Sequence, residues 1–256
     1  MILPSMTSKE IYDNILVDLE KINIRIEYLY PKAIKEFRKE RKFPAWKWYE
    51  YVIPTTNNKY IIFFYAESRI FIEKPKADFY LSVFDGNKRF VIKACAGGYS
   101  HTEGGPLIAI RQIHAITSHF IERYNERVIK DKSLNANDVV CRYFSRNTIS
   151  IPIQMNEEIN KKLEKYGDAA KYGYRVRDGF CFVQSALEGV VSEDGDRKKD
   201  RVDGMLVIYT TFMNESDMKK SQLSAINKGH YETWEQFVKV FLKEQRDGVV
   251  KLKLEP

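Results

Sequence analysis

The stretch FYLSVFDGNKRFVIKA, Phe79 to Ala94, decides the fold class. Two runs of aromatic and β-branched residues flank Asp85-Gly86-Asn87-Lys88. Gly and Asn tolerate positive φ in a tight turn, so the stretch reads as a β-hairpin. Upstream, WKWYEYVI (Trp46 to Ile53), YIIFFYAES (Tyr60 to Ser68) and RIFIE (Arg69 to Glu73) have the same strand-like composition. Residues 46 to 95 therefore read as an antiparallel sheet.

Before that sheet the pattern is helical. Thr7-Ser8-Lys9-Glu10 forms a capping box, and Ile11, Ile15, Leu19 and Ile22 follow as an apolar stripe. A second helix is expected from Pro31 to about Arg41, because proline is tolerated in a first turn where its missing N–H has no partner anyway. Its Lys32, Lys35, Arg38, Lys39, Arg41 and Lys42 read as a solvated face, with phosphate contact as the functional alternative.

After the hairpin, AGGYSHTEGGP (Ala96 to Pro106) reads as a linker or loop. It lacks the spacing of a phosphate-binding glycine loop. LIAIRQIHAI fits a strand or the start of a long helix, and periodicity does not choose between them. NANDVVCRYF reads as a short helix capped by Asn135 or Asn137, NTISIPI as extended, and NEEINKKLEKYG as a helix ending at Gly167. Arg177-Asp178-Gly179 reads as a turn before the strand FCFVQSAL. SEDGDRKKDRVDG (Ser192 to Gly204) reads as an exposed loop, and MLVIYTTF (Met205 to Phe212) as a buried strand. Two helices close the chain, the second opened by the capping box Thr233 to Gln236, with Trp234, Phe237, Val238, Phe241 and Leu242 facing the core. The expected class is α+β. Residues 1–100 form N-terminal helices with an antiparallel sheet, and residues 101–256 form a second α+β unit with C-terminal helices.

With 256 residues, 44% of them hydrophobic, the chain can bury a sizeable core. A net charge of +7 suits a polyanionic partner such as RNA and also suits an ordinary basic protein. Cys95, Cys141 and Cys181 are far apart and form no CxxC pair, so neither a disulfide framework nor a zinc ribbon is implied, and a reducing, cytoplasmic compartment is expected. The N-terminus has no signal-peptide pattern, and no apolar run approaches the ~18 residues that span a bilayer, so no membrane partner is expected. His114 and His119 are badly spaced for two ligands on one helical face, and no HExxH occurs; no metal or cofactor is expected.

Catalytic candidates concentrate in TSHFIERYNERV, Thr117 to Val128, with Ser118 as the expected cap. At about 100° per residue, Arg123 falls about 40° and Arg127 about 80° from His119. Phe120, Ile121, Tyr124 and Val128 form the opposite, apolar face. Histidine titrates near neutrality and can move protons, while arginine clamps phosphate oxygens. An ordinary solvated face, with Arg123 paired to Glu126, satisfies the same spacing.

The order of elements around that helix, with Asp138-Val139, Gly179 and Thr211-Phe212, resembles the RelE-related toxin family, and within it the BrnT-like proteins. The likeness covers residues 107–213. It implies a metal-independent endoribonuclease in which His119 is the acid or base and Arg123 and Arg127 hold the scissile phosphate. Arg175 or Arg177, and Tyr209 or Thr211, would complete an RNA site, and an antitoxin-like protein would be the partner. The alternative reading is a non-enzymatic interaction protein, such as a mobile-element accessory factor.

Overall fold

A computed structural model describes residues 2, 5–99, 108–154, 159, 172–190 and 201–246. The described strands are β1 (Ala45–Val52), β2 (Lys59–Ala66), β3 (Lys76–Asp85), β4 (Lys88–Tyr99), β5 (Ile108–Thr117), β6 (Ser150–Gln154), β7 (Tyr172–Val176), β8 (Gly179–Val190) and β9 (Arg201–Met213). They form one nine-stranded sheet in the order β1-β2-β3-β4-β5-β9-β8-β7-β6. All neighbours are antiparallel except β5 and β9, which run parallel at the centre. The described helices are α1 (Ser8–Phe37), α2 (Ser118–Tyr124), α3 (Ala136–Arg146) and α4 (Lys220–Arg246). The class is thus α+β, and the hairpin at Asp85-Gly86 forms with Gly86 at φ 56°.

Alternation along each strand serves two cores. In β2, Ile61 and Phe63 face α2 and α3, while Tyr60, Ile62 and Phe64 face α1. In β8, Cys181 and Val183 join the first core, whereas Phe180 and Phe182 meet Ile226 of α4. The first core draws side chains from seven strands, β2 to β5 and β7 to β9, around two short helices. At about 4.8 Å per strand, β2 and β7 would lie roughly 29 Å apart in a flat sheet. A single cleft nevertheless includes side chains of both, so the sheet curls around α2 and α3. The outermost strand on that side, β6, carries Pro152 opposite Tyr174.

Several expectations are corrected. The helix expected to begin at Pro31 is the last part of one 30-residue helix, with Pro31 inside it; burial of Leu29, Ala33 and Phe37 carries it through the proline. Arg69–Phe71 is a 3-10 turn rather than a strand. Ala96 to Tyr99 extend β4 rather than opening a linker, and β4 pairs with β5 across the expected division near residue 100. LIAIRQIHAI resolves as strand from Ile108. The expected loop 192–204 yields to β9 from Arg201 onward. The two C-terminal helices are one, α4, so Thr233 caps nothing and Trp234, expected in the core, is 50% exposed. The helix expected over 156–167 lies outside the described residues except for Ile159.

Candidate phosphate-binding cleft

The expected catalytic row begins as the sequence implies and then departs from it. Thr117, not Ser118, caps α2, its hydroxyl accepting from the Phe120 N–H at 3.2 Å. Phe120, Ile121 and Tyr124 are buried, and His119 is exposed on the other side. Past Tyr124 the backbone widens into a π turn, Asn125–Ile129, in which the Lys130 N–H reaches back five residues to the Asn125 carbonyl at 2.6 Å. Arg127 is thereby carried off the ideal row. Its guanidinium donates to the Phe212 carbonyl and lies 3.4 Å from Asp217. Arg123 donates to Glu126 at 2.7 Å. The two guanidinium groups thus engage separate partners.

Of the other candidates, Tyr209 is buried in the first core with its hydroxyl 2.9 Å from His114 Nδ1. Thr211 is partly buried opposite Phe182. Arg175 and Arg177 stand together elsewhere, at a cleft of about 480 Å³ where the curled sheet brings β2 and β3 toward β6 and β7. That volume lies within the ~300–1,000 Å³ range of ligand pockets.

The cleft is built around α3. Asn135 and Asp138 form a reciprocal capping box at its start. Trp48 and Trp46 of β1 donate indole N–H groups to Asp138 at 2.8 Å and to Ser145 at 2.7 Å. The Tyr80 hydroxyl donates to Asn137 at 2.9 Å. The far end of α3 is held by Asp178, in the turn between β7 and β8. Its carboxylate accepts from Arg146 Nε and Nη2 at 2.8 and 2.6 Å, from the Tyr124 hydroxyl at 2.6 Å and from Asn147 at 3.0 Å. Burial pushes the Asp178 carboxyl up, but these hydrogen bonds and the Arg146 charge outweigh it and hold it below the ordinary carboxylate range.

Around this clasp the cleft presents Lys76, Arg146, Arg175 and Arg177, with Glu67 as the one acidic residue of its lining among the described residues. Arg146 is committed to Asp178, and Arg175 donates to the Gly179 carbonyl and to Glu215. Lys76 and Arg177 have no ion pair among the described residues. Tyr65 lies between the charges: burial and then Glu67 push its hydroxyl up, against the pull of Arg177 and Arg146. His230 reaches the same space from α4. Sequence reasoning missed Glu67, Lys76, Arg146 and His230, since no motif links positions so far apart in the chain.

Among the described residues no cluster of His, Cys, Asp and Glu could hold a metal ion, and no described helix is long and apolar enough to cross a membrane. No protein-family model, no curated protein and no solved structure matches the chain.

Proposed function

We propose that this chain binds RNA, gripping the phosphate backbone in the cleft between β2, β3, α3 and β7, and that the bound strand is cut there by side-chain acid–base chemistry. The carrying observation is that Arg177 and Lys76 face one concavity without a counter-charge of their own among the described residues. Such cations are free to replace the counterions of a polyanion, and the +7 balance of the chain adds a favourable long-range field. The resemblance of residues 107–213 to RelE- and BrnT-type toxins points to the same substrate class. It also puts forward the α2 row, His119, Arg123 and Arg127, as a second place for the chemistry, and an antitoxin-like protein as a partner.

Fluorescence anisotropy with a labelled 20-nucleotide single-stranded RNA, titrated over a range of salt, separates these sites. Lys76→Ala with Arg177→Ala is expected to weaken binding at least tenfold. It should also flatten the log–log salt slope by about 1.4, at roughly 0.7 per phosphate contact. His119→Ala with Arg123→Ala is expected to leave affinity within twofold. The reverse pattern moves the site to α2. Equal binding of a DNA strand removes the preference for RNA, and no binding by the native chain ends the proposal.

A further inference from the structure

The connection from β2 to β3 holds an apolar pair out in solvent. Ile70 is 87% and Phe71 50% exposed, side by side on the 3-10 turn Arg69–Phe71. Apolar side chains scattered singly over a surface are ordinary, whereas neighbours that stand out together mark a contact surface. The base of the turn is fixed. Ile72 is buried in the core beneath α1, and Pro75 is buried too. The Pro75 carbonyl accepts from the Tyr30 hydroxyl of α1 at 2.6 Å. Glu73 accepts from Arg38 Nε and Nη2 at 2.9 and 2.7 Å. The turn is thus fastened to the C-terminal end of α1, and its apex stands clear.

This fastening also sets the charge around the apex. Lys35, Lys39, Arg41, Lys42, Arg69 and Lys74 are exposed, and none forms an ion pair among the described residues. Of the carboxylates on the same two segments, Glu73 is paired with Arg38 and Glu40 with Lys47. That leaves Glu36, beside the Tyr49 hydroxyl, against six cations. Lysines at a helix C-terminus are ordinary, because the helix dipole favours them there, but Arg69 and Lys74 belong to the turn itself. None of the six lines the phosphate cleft.

We propose that this turn docks the chain on the surface of an anionic lipid bilayer, with Ile70 and Phe71 entering the boundary between headgroups and acyl chains while the surrounding cations meet the anionic headgroups. A bilayer surface supplies both complements at once: negative charge in its plane, and an apolar layer ~5–10 Å beneath it. An RNA strand supplies only the first. Phosphate contacts leave Ile70 in water, and Ile70 has no ring on which a base can stack. No described helix is long and apolar enough to cross a bilayer, and a chain that rests on the surface needs none.

Vesicle flotation tests the proposal. The full chain is expected to rise with phosphatidylcholine vesicles carrying ~30% phosphatidylglycerol, to stay behind with pure phosphatidylcholine, and to be released by salt. Ile70→Ser with Phe71→Ser keeps the charge and removes the apolar tip, and should weaken partition at least about tenfold. Arg69→Gln with Lys74→Gln should weaken it by about thirtyfold. All four side chains are exposed, so an unchanged thermal midpoint is expected and separates lost docking from lost folding. Failure of the native chain to rise with anionic vesicles overturns the proposal, as does native partition by the folded serine pair. A serine pair that loses affinity for RNA as much as for vesicles assigns the tip to nucleic acid instead. A native dimer that the serine pair dissolves assigns it to a second copy; either result overturns the lipid assignment.

Discussion

His114 is locked in the core between two polar partners. It sits in β5, buried, with Nδ1 at 2.9 Å from the Tyr209 hydroxyl and Nε2 at 3.1 Å from Gln112 Oε1. A neutral ring protonated at Nε2 satisfies both contacts, because Tyr209 donates and Gln112 accepts. Burial pushes its pKa down to about 4, and Lys93 adds to that; Tyr174 is the other titratable ring against it. The unfolded imidazole binds its proton near pH 6.5, so between there and about pH 4 the unfolded state takes up a proton that the folded state refuses. Stability should therefore fall with pH across that window, by about 3 kcal/mol in total. Urea denaturation at pH 7.5 and pH 4.5 measures it. His114→Gln should remove this component of the slope, leaving the part due to carboxylates; an unchanged slope in the variant sinks the account.

At the scale of elements, α1 departs most from local preference. Pro31 has no N–H for an i−4 hydrogen bond and sits in the interior of a 30-residue helix. The helix persists because its apolar face is buried on both sides of the proline and because Asp18 ties it to the β1–β2 connection and to β2, accepting from Thr56 and Asn58 of the first and from Tyr60 of the second. Pro31→Ala should therefore stabilise the chain by about 1–3 kcal/mol, read as a rise in the thermal midpoint; a fall means the ring itself fills space that alanine leaves empty. The elements that were legible in the sequence have local signals: the Thr7 and Asn135 capping boxes, the Asp85-Gly86 turn, the aromatic strands. Those that were not depend on contacts distant in sequence. Nothing near Pro31 announces the packing that overrides it. Nothing in NERVI marks the π turn that moves Arg127, and ideal helical angles fail past Tyr124 for that reason. Arg175 and Arg177 were named through a resemblance, whereas Lys76 meets them only because the sheet curls, and His230 only because α4 packs against β6.

For the whole molecule, the Asp178 clasp is decisive. It fastens α3, already tied to β1 and β3, to the turn between β7 and β8, so it holds the two ends of the curl together. Asp178→Asn keeps the size of the side chain but removes the charge opposite Arg146. Arg146 is 39% exposed, so solvent screens part of the loss, and the substitution should cost about 1–3 kcal/mol, read by denaturant unfolding. Because the pair bounds the cleft, RNA affinity should fall along with stability; full affinity in a destabilised variant would show that the cleft does not need the clasp. Among the described residues the sheet ends at two margins, β1 and β6, with no further strand paired to either. A free margin invites another chain to continue the hydrogen-bond ladder, and the usual outcome is aggregation. Pro152 has no N–H to offer an incoming strand, and proline is tolerated in sheets only at such borders. The protein can therefore keep a half-open, ligand-accessible shape without growing a tenth strand from a neighbouring copy along that border.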